Sequence, residues 1–345
     1  MPQVTCSPPP RVRSRGVPSS EPALLRAYPA LRHRLPRHPV VSFPTPVELL
    51  SLDGIRAGSL FAKRDDRCSP LYGGNKPRKL EFVIGTALAR GAGRLVTTGG
   101  LGSNHGLATT IVGRDAGLAT TLVLLRQPIT PDVRRALLLY AAYGADLVYG
   151  ANIPGTAVQV LRVLATSALR GERPFLVATG GSSTRGTVGF VSAALELAEQ
   201  VRAGALPAPA QVYVAVGTGG TFAGLVAGFK LARLEVRVVG VVVTDILPPS
   251  PRSLARRARA VLRWLRRADP RIPEVDVSPA DFDLVRDSLE ISHHFDESVD
   301  ENRVKVQVHD IRGVDTLKPV LIFLIIGLCE RVILFGNRER LFRSL

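Results

Sequence analysis

Two lysines lie three positions apart in the stretch GGNKPRKLEF, residues 73–82, where they could supply a reactive amine. The chain has only six lysines, and arginine supplies nearly all of its other basic side chains. Arginine carries charge as well as lysine does, but it cannot lose its proton and attack a carbonyl carbon. Lys76 and Lys79 are therefore candidates for nucleophilic chemistry, and a pair of solvated surface lysines is the alternative.

The residues around Lys76 predict the first turn of a helix. Gly73 and Gly74 allow a sharp bend, and Pro77 suits the first helical turn because its missing N–H is not needed there. Apolar residues then recur at helical spacing, at Leu80, Val83, Ile84 and Leu88. A helix amino terminus and a neighbouring cation both disfavour the ammonium form, so we expect the pKa of Lys76 to be lowered.

A second candidate is the stretch GTGGT, which follows a predicted strand and opens a predicted helix. Its backbone N–H groups and hydroxyls could converge on a phosphate, and it comprises Gly217, Thr218, Gly219, Gly220 and Thr221. It is not a Walker loop, because no Gly-Lys-Ser/Thr follows, and it is not GxGxxG, because position 222 is Phe222. A tight turn that binds nothing is the alternative.

The third candidate is GGLGSNHG, residues 99–106, which also joins a predicted strand to a predicted helix. Ser103, Asn104 and His105 fall where that helix begins. Their N–H groups and side chains could bind a substrate carboxylate and a ring oxygen of a cofactor. The alternative is structural, because serine and asparagine commonly cap helices, and a lone histidine is more often buried and satisfied than catalytic.

From residue 94 onward, short β-branched runs alternate with helical patterns. This alternation predicts an α/β fold, with a parallel sheet covered by helices on both faces. The predicted strands are 94–98, 119–125, 146–149, 175–178, 212–216 and 236–243. Ligands of such sheets bind at the carboxyl ends of the strands, which directs attention to the loops 99–105, 179–186 and 217–221.

Composition excludes several classes of protein. The 345 residues carry a net charge of +16, with arginine excesses near the amino terminus and at 252–271. We interpret these as solvated surface and predict no nucleic-acid partner, with a polyanion-binding protein as the weaker alternative. Three scattered cysteines make neither a disulfide framework nor a metal site, which favours a cytoplasmic location. The longest apolar run, 320–329, is about half a membrane-spanning helix, so no membrane association is expected.

The composition changes abruptly near residue 288. No alanine occurs from there to the end of the chain, and no tyrosine follows Tyr213. A domain of different origin would explain this change, and so would a shift of the coding frame, which we favour because no linker marks the transition.

A phosphate-binding turn, a carboxylate-binding helix start and an activated lysine together suggest pyridoxal 5′-phosphate as cofactor.

Four segments then resemble one family of enzymes: KRDDRCSPLYGGNKPRKLEF, TTGGLGSNHGLAT, TGGSSTRGTVGF and VGTGGTFAGLVAGF. They are similar to the 1-aminocyclopropane-1-carboxylate deaminase and D-cysteine desulfhydrase family, which belongs to the tryptophan-synthase-β-like, fold type II pyridoxal-phosphate enzymes. FPTPVE at 43–48 resembles its entry segment, and the resemblance covers roughly residues 40–287. It implies two open parallel-sheet domains with the cofactor in the cleft between them.

The resemblance also implies roles for individual residues. Lys76 matches the lysine that binds the cofactor covalently, and Asn75 belongs to the same motif. Asn104 matches the asparagine that binds the cofactor's ring oxygen, while Ser103 and His105 match residues around the substrate carboxylate. Ser103 is also a catalytic candidate, which would bind that carboxylate or contact the leaving group. The phosphate-binding turn matches Gly217, Thr218, Gly219, Gly220 and Thr221. Histidine at position 105 is more typical of the desulfhydrase branch, since the deaminase branch usually has glutamine there.

The expected function is a pyridoxal-phosphate-dependent lyase or deaminase that converts a small amino acid to a 2-oxo acid and ammonia, as a homodimer. The family's late Tyr-Gly-x-Pro-Thr stretch is missing, so the group opposite the pyridine nitrogen is unassigned. A catalytically impaired cofactor-binding remnant is therefore the alternative. The predicted division is a flexible arm at 1–38, a large domain at 39–92 and 165–287, a small domain at 93–164 and a divergent tail at 288–345.

Overall fold

The computed structural model describes residues 21–50, 58–244 and 248–285, and the backbone of three short strands further along the chain. Its α-helices are α1 Ala23–Ala27, α2 Lys76–Ala89, α3 Asn104–Asp115, α4 Pro131–Ala142, α5 Ile153–Leu169, α6 Thr184–Arg202, α7 Gly220–Ala232 and α8 Pro251–Ala268. Its strands are β1 Val47–Leu50, β2 Leu60–Lys63, β3 Arg94–Gly100, β4 Ala119–Leu125, β5 Asp146–Tyr149, β6 Pro174–Leu176, β7 Gln211–Val216, β8 Arg237–Val242, β9 Asp283–Val285, β10 Arg303–Gln307, β11 Val320–Phe323 and β12 Arg331–Phe335.

These strands form two main sheets. The larger has the order β1-β2-β11-β7-β8-β9, and all of its pairs are parallel except the antiparallel pair of β1 and β2. The smaller is wholly parallel, with the order β5-β4-β3-β6. The predicted α/β class with parallel sheets is confirmed, since every predicted strand recurs within two residues of its predicted ends.

Helix α2, which carries both lysines of interest, lies between two apolar cores. Phe82 packs into the core formed mainly by α1, α6, α7 and α8. Leu80, Val83 and Ile84 pack instead into the core that includes α3 and the smaller sheet. The helix is therefore buried on several sides and its position is fixed by both cores, which is what a helix that presents a reactive group requires.

The amino-terminal segment corrects one prediction. We predicted a flexible arm over 1–38, but residues 23–27 form α1 and 29–33 a turn of 3-10 helix. Leu24, Leu25 and Leu31 are buried in the core around α6. The segment is ordered because these leucines remove apolar surface from water, a signal that the abundant prolines and arginines nearby obscured. Residues 1–20 lie outside the described part of the chain.

The predicted domain division is only partly visible in the sheets. The boundary at residue 164 falls inside α5, and β6 pairs with β3, so the smaller sheet continues to residue 176. In the tail, β11 lies between β2 and β7, while β10 pairs with β12. The rest of 286–345 lies outside the described residues. Among the described residues, no helix combines the length and apolar character that a membrane crossing requires.

Candidate active site

The bend before α2 depends on two glycines. Gly74 has a φ of 85°, in the left-handed region, and its N–H donates to the Asp65 carbonyl oxygen at 2.8 Å. A Cβ at Gly73 would lie 2.3 Å from the backbone oxygen of Asp66, so a larger residue would not fit there. This tight turn positions Lys76 as the first residue of α2.

Asn75 connects the lysine to the turn at 217–221. Its Oδ1 accepts a hydrogen bond from Lys76 Nζ at 2.6 Å, and its Nδ2 donates to Thr221 Oγ1 at 3.0 Å. Asn75 and Thr221 are both buried. Two hydrogen bonds therefore link Lys76 Nζ, through Asn75, to the first turn of α7.

The surroundings of Lys76 favour the nucleophilic form of its amine. Desolvation within the cleft lowers the pKa of Lys76 from 10.5 to about 8. Its side chain nevertheless keeps partial exposure to solvent, so a ligand could reach the nitrogen. A lysine with these properties is neutral in a much larger fraction of molecules near neutral pH than a surface lysine is.

The turn at 217–221 is shaped to approach a ligand closely. Gly219 has a φ of 80° and precedes α7, whose N–H groups at this end have no partner within the helix. A Cβ at Gly220 would lie 2.5 Å from Ser182 Oγ, whereas a Cβ at Gly217 would meet no atom within 4 Å. Thr218 Oγ1 shares a hydrogen bond with Ser182 Oγ at 2.6 Å.

Lys79 is connected to this turn through the hydroxyl of Ser182. Its Nζ donates to the Gly180 carbonyl oxygen at 3.1 Å and to Ser182 Oγ at 3.2 Å. Burial lowers its pKa well below 10.5, and the nearby cations Lys76 and Arg257 lower it further. Within the described residues, none of these three cations has a carboxylate partner. Such a set fits a doubly charged phosphate.

The loop at 99–106 combines a helix cap with an exposed amide. Ser103 Oγ accepts from the Gly106 N–H at 3.2 Å, so the capping alternative is observed, and the Ser103 carbonyl oxygen accepts from Tyr140 at 2.9 Å. The side chain of Asn104 is exposed, and its Oδ1 accepts from the Tyr72 hydroxyl at 3.4 Å. The amide of Asn104 can therefore face a ligand.

His105 has a structural environment. Its Nε2 lies 2.9 Å from Thr97 Oγ1 and its Nδ1 lies 3.3 Å from Thr109 Oγ1, with the ring 4% exposed. Burial lowers its pKa well below 6.5, and the nearby lysines lower it further, so the imidazole is neutral. Both ring nitrogens are engaged, which favours a role in holding the loop, and contact with a substrate carboxylate stays a prediction.

A short 3-10 turn in the predicted loop 179–186, Thr179–Gly181, lies next to Thr218, Lys79 and His105. A Cβ at Gly180 would lie 2.4 Å from Thr218 Oγ1. A Cβ at Gly181 would lie 3.3 Å from Lys79 Cβ and 3.9 Å from His105 Cε1. The sequence directed attention to the loop 179–186, which contains these residues and Ser182, but gave none of them an individual role. Sequence reasoning missed Tyr72 and Arg257, for which no spacing pattern stands out.

Comparison with known proteins identifies the family to which this site belongs. A family model described as "Pyridoxal-phosphate dependent enzyme" matches residues 41–305. Nocardicin C-9′ epimerase of Nocardia uniformis subsp. tsuyamanensis is 37% identical over 235 residues, covering 67% of this chain and 70% of the epimerase. D-cysteine desulfhydrase of Salmonella paratyphi B is 33% identical over 229 residues, covering 64% of this chain and 69% of that enzyme.

The fold of one solved structure also supports this family assignment. That structure is described as an ACC deaminase homologue, is 28% identical, and superposes with a TM-score of 0.61 over 77% of each chain. The lysine at the start of α2, the unpaired cations and the glycine turn fit the aldehyde and the phosphate of pyridoxal 5′-phosphate. The chain belongs to the family of pyridoxal-phosphate-dependent enzymes.

Proposed function

We propose that this protein is a lyase or deaminase that uses pyridoxal phosphate to convert a small amino acid to a 2-oxo acid and ammonia. The observation that carries the proposal is the pair of hydrogen bonds from Lys76 through Asn75 to Thr221, which links a low-pKa amine to a phosphate-binding turn. D-Cysteine and 1-aminocyclopropane-1-carboxylate are the first substrates to test, because related proteins carry those names.

The residues divide the work between anchoring and proton transfer. The turn at 217–221, with Asn75 beside it, would hold the phosphate, and Asn104 would donate to the ring oxygen. When bound, the cofactor supplies an electron sink for the electron pair left on the substrate α-carbon. Lys76 Nζ, whose lowered pKa of about 8 increases the neutral fraction of the amine, would accept a proton at the α-carbon or β-carbon of the substrate and later return a proton to the product.

The loop at 99–106 would orient the substrate. The first turn of α3 presents N–H groups near the exposed Asn104 side chain, and this arrangement suits the substrate carboxylate. Ser103 would contribute through its backbone while its hydroxyl caps the helix, and His105 would keep the loop in place through Thr97 and Thr109. For D-cysteine, the overall reaction with water yields pyruvate, ammonia and hydrogen sulfide.

The covalent assignment is tested by reducing the cofactor-loaded protein with borohydride and mapping the pyridoxyl adduct by mass spectrometry. We expect the adduct on the peptide that contains Lys76 and none in Lys76→Ala. Lys230→Ala is the matched control, because Lys230 lies in the last turn of α7, at the end away from the turn at 217–221, and pairs with Asp281. An adduct that persists in Lys76→Ala would overturn the assignment of this lysine.

Product analysis separates the proposed lyase from its alternatives. The lyase releases pyruvate and ammonia from D-cysteine in proportion, and Lys76→Ala abolishes both. A protein that forms the Lys76 adduct but turns over neither substrate would be the catalytically impaired remnant. Conversion of D-cysteine to L-cysteine without ammonia would instead indicate epimerisation, the activity named for the 37% identical relative.

The homodimer remains part of the proposal, and sedimentation analysis of the loaded protein tests it.

A further inference from the structure

One arginine of α8 differs from its neighbours on that helix. Arg252, Arg256 and Arg259 are exposed, as expected for the polar face of an amphipathic helix. Arg257 is instead half-buried, and its Nη1 donates to the carbonyl oxygen of Ser182. The guanidinium therefore points from α8 toward the candidate active site and away from bulk solvent.

Ser182 is the point where several parts of the phosphate site meet. Its Oγ accepts from Lys79 Nζ at 3.2 Å and shares a hydrogen bond with Thr218 Oγ1 at 2.6 Å, while its carbonyl oxygen accepts from Arg257. Helix α8 also packs on the turn itself, because a Cβ at Gly219 would lie 2.5 Å from Leu254 Cδ2. Arg257 therefore lies beside the turn, on the helix that packs against Gly219.

Arg257 and Lys79 are neighbouring cations, and no carboxylate among the described residues pairs with either of them. Burial lowers its pKa, and Arg257 in turn lowers the pKa of Lys79. Among the described residues, its only hydrogen bond is the one to Ser182, so further guanidinium donors are left for a ligand. Two desolvated cations without a carboxylate are unfavourable unless an anion binds between them. A guanidinium fork is well matched to phosphate oxygens.

We propose that Arg257 binds the phosphate group of pyridoxal phosphate, together with Lys79 and the turn at 217–221. This inference rests on the proposed function, since it concerns the same cofactor site. It assigns a ligand to one arginine of the 252–271 stretch, which the sequence alone presents as a solvated helix face. The substrate carboxylate is the less suitable partner for Arg257. The loop at 99–106, which is proposed to bind that carboxylate, reaches Gly181 only through His105, whereas Arg257 contacts Ser182, the hydrogen-bond partner of Thr218.

The test compares two cofactors that differ only in the phosphate. Apo-protein is titrated with pyridoxal phosphate and with pyridoxal, and the dissociation constants are taken from the visible absorbance. We expect Arg257→Gln to weaken pyridoxal phosphate about ten- to hundredfold and pyridoxal by less than about twofold. Arg256→Gln, an exposed neighbour on the same helix, should change neither constant, and Arg257→Lys should recover part of the loss.

Two outcomes would overturn this inference. Equal weakening of both cofactors by Arg257→Gln would show that Arg257 supports the fold of the site. Unchanged affinity for pyridoxal phosphate would show that Arg257 does not bind the phosphate. Failure of the wild-type protein to form an adduct at Lys76 would count against the proposed function itself, and the borohydride experiment detects that case separately.

Discussion

At the scale of single residues, the chemistry depends on how the environment of Lys76 lowers the pKa of its amine. Its amine loses hydration inside the cleft, which lowers its pKa to about 8, yet it gains a hydrogen bond to Asn75 Oδ1 at 2.6 Å. Asn75 cannot stabilise the ammonium form as a carboxylate would, because its side chain is uncharged. A polar but neutral partner therefore orients the nitrogen without restoring its ordinary pKa.

This environment predicts a specific pH dependence for cofactor capture. A lysine whose pKa is lowered is protonated below that pKa and neutral above it, so the capture rate should rise with pH and level off above about pH 8. The rate of appearance of the visible band after mixing apo-protein with pyridoxal phosphate measures this. The reaction of pyridoxal phosphate with a free alkyl amine over the same pH range is the control, because it shows how much of the pH dependence comes from protonation of the cofactor itself. A rate that keeps rising above about pH 9.5 would contradict the lowered pKa.

The same scale shows what the sequence could and could not predict. Lys76 was predictable because a reactive amine needs a lysine, a bend and a helix start, and all three are local in sequence. The environment of His105 was not, because Thr97 belongs to β3, eight positions earlier, and its hydroxyl reaches the ring only through the fold. Arg257 was hidden among similar arginines until the packing of α8 on the turn singled it out.

At the scale of elements, a buried ion network fixes the start of α2. Arg78, two residues after Lys76, pairs with Asp65 at 2.8 Å and with Glu196 of α6 at 3.0 Å. Lys63 at the end of β2 contacts Glu196 at 2.5 Å. Burial alone would raise the pKa of Glu196, but Arg78 and Lys63 lower it to about 2. The network ties β2, α2 and α6 together directly behind the candidate nucleophile.

Removing the shared carboxylate should therefore destabilise the protein strongly. Glu196→Gln leaves Arg78 and Lys63 with less compensation in the core, and we expect a loss of about 3–5 kcal/mol in the free energy of unfolding at pH 7. Urea unfolding of the apo-protein measures it. Glu199→Gln on the same helix is the matched control, because Glu199 pairs with Arg26 at the surface and should cost about 0–1 kcal/mol.

The pH dependence gives this prediction a second readout. The pKa of Glu196 in the folded protein lies below its ordinary value of 4.5, so its stabilising contribution is complete above about pH 4.5 and is lost as the pH falls toward 2. The difference between wild type and Glu196→Gln should therefore shrink in acid. Equal unfolding midpoints for Glu196→Gln and Glu199→Gln at pH 7 would contradict the role of the network.

Element boundaries were predictable where the signals are local. The strands 119–125 and 146–149 were predicted to the residue, because β-branched and apolar runs end at turn residues there. The helical pattern of the sequence predicts a helix from Thr156 to Leu169, but α5 begins three residues earlier, at Ile153, because Asn152 Oδ1 accepts from the Gly155 N–H at 2.7 Å. That cap and Pro154 are visible in the sequence and could have located the start correctly.

At the scale of the whole molecule, the tail after residue 288 contributes to the larger sheet. Strand β11 pairs with β2 on one side and with β7 on the other, both in parallel. Residue 322 is level with Ala62 and with Tyr213, pairings that span more than 100 residues of sequence. No local pattern predicts such a neighbour, which explains why the sequence left the tail without a place in the fold.

The position of β11 links the tail to the active site. Strand β7 leads directly into the turn at 217–221, and β2 ends at Lys63 in the buried network. Loss of the strand between them would leave both edges unpaired and would disturb the turn that is proposed to bind the phosphate. Changes in the tail should therefore affect cofactor binding, even though they lie far from Lys76 in sequence.

A pair of proline substitutions tests this arrangement. Ile322→Pro places a residue without an N–H, and with a bulky ring, in a strand that is paired on both sides, so it should lower both the thermal midpoint and the affinity for pyridoxal phosphate. Ile333→Pro is the matched control, since β12 pairs only with β10 in a separate two-stranded sheet. We expect a midpoint loss several-fold larger for Ile322→Pro, by differential scanning calorimetry. If both variants match the wild type in midpoint and in cofactor affinity, residues 320–323 do not hold the centre of the sheet in solution.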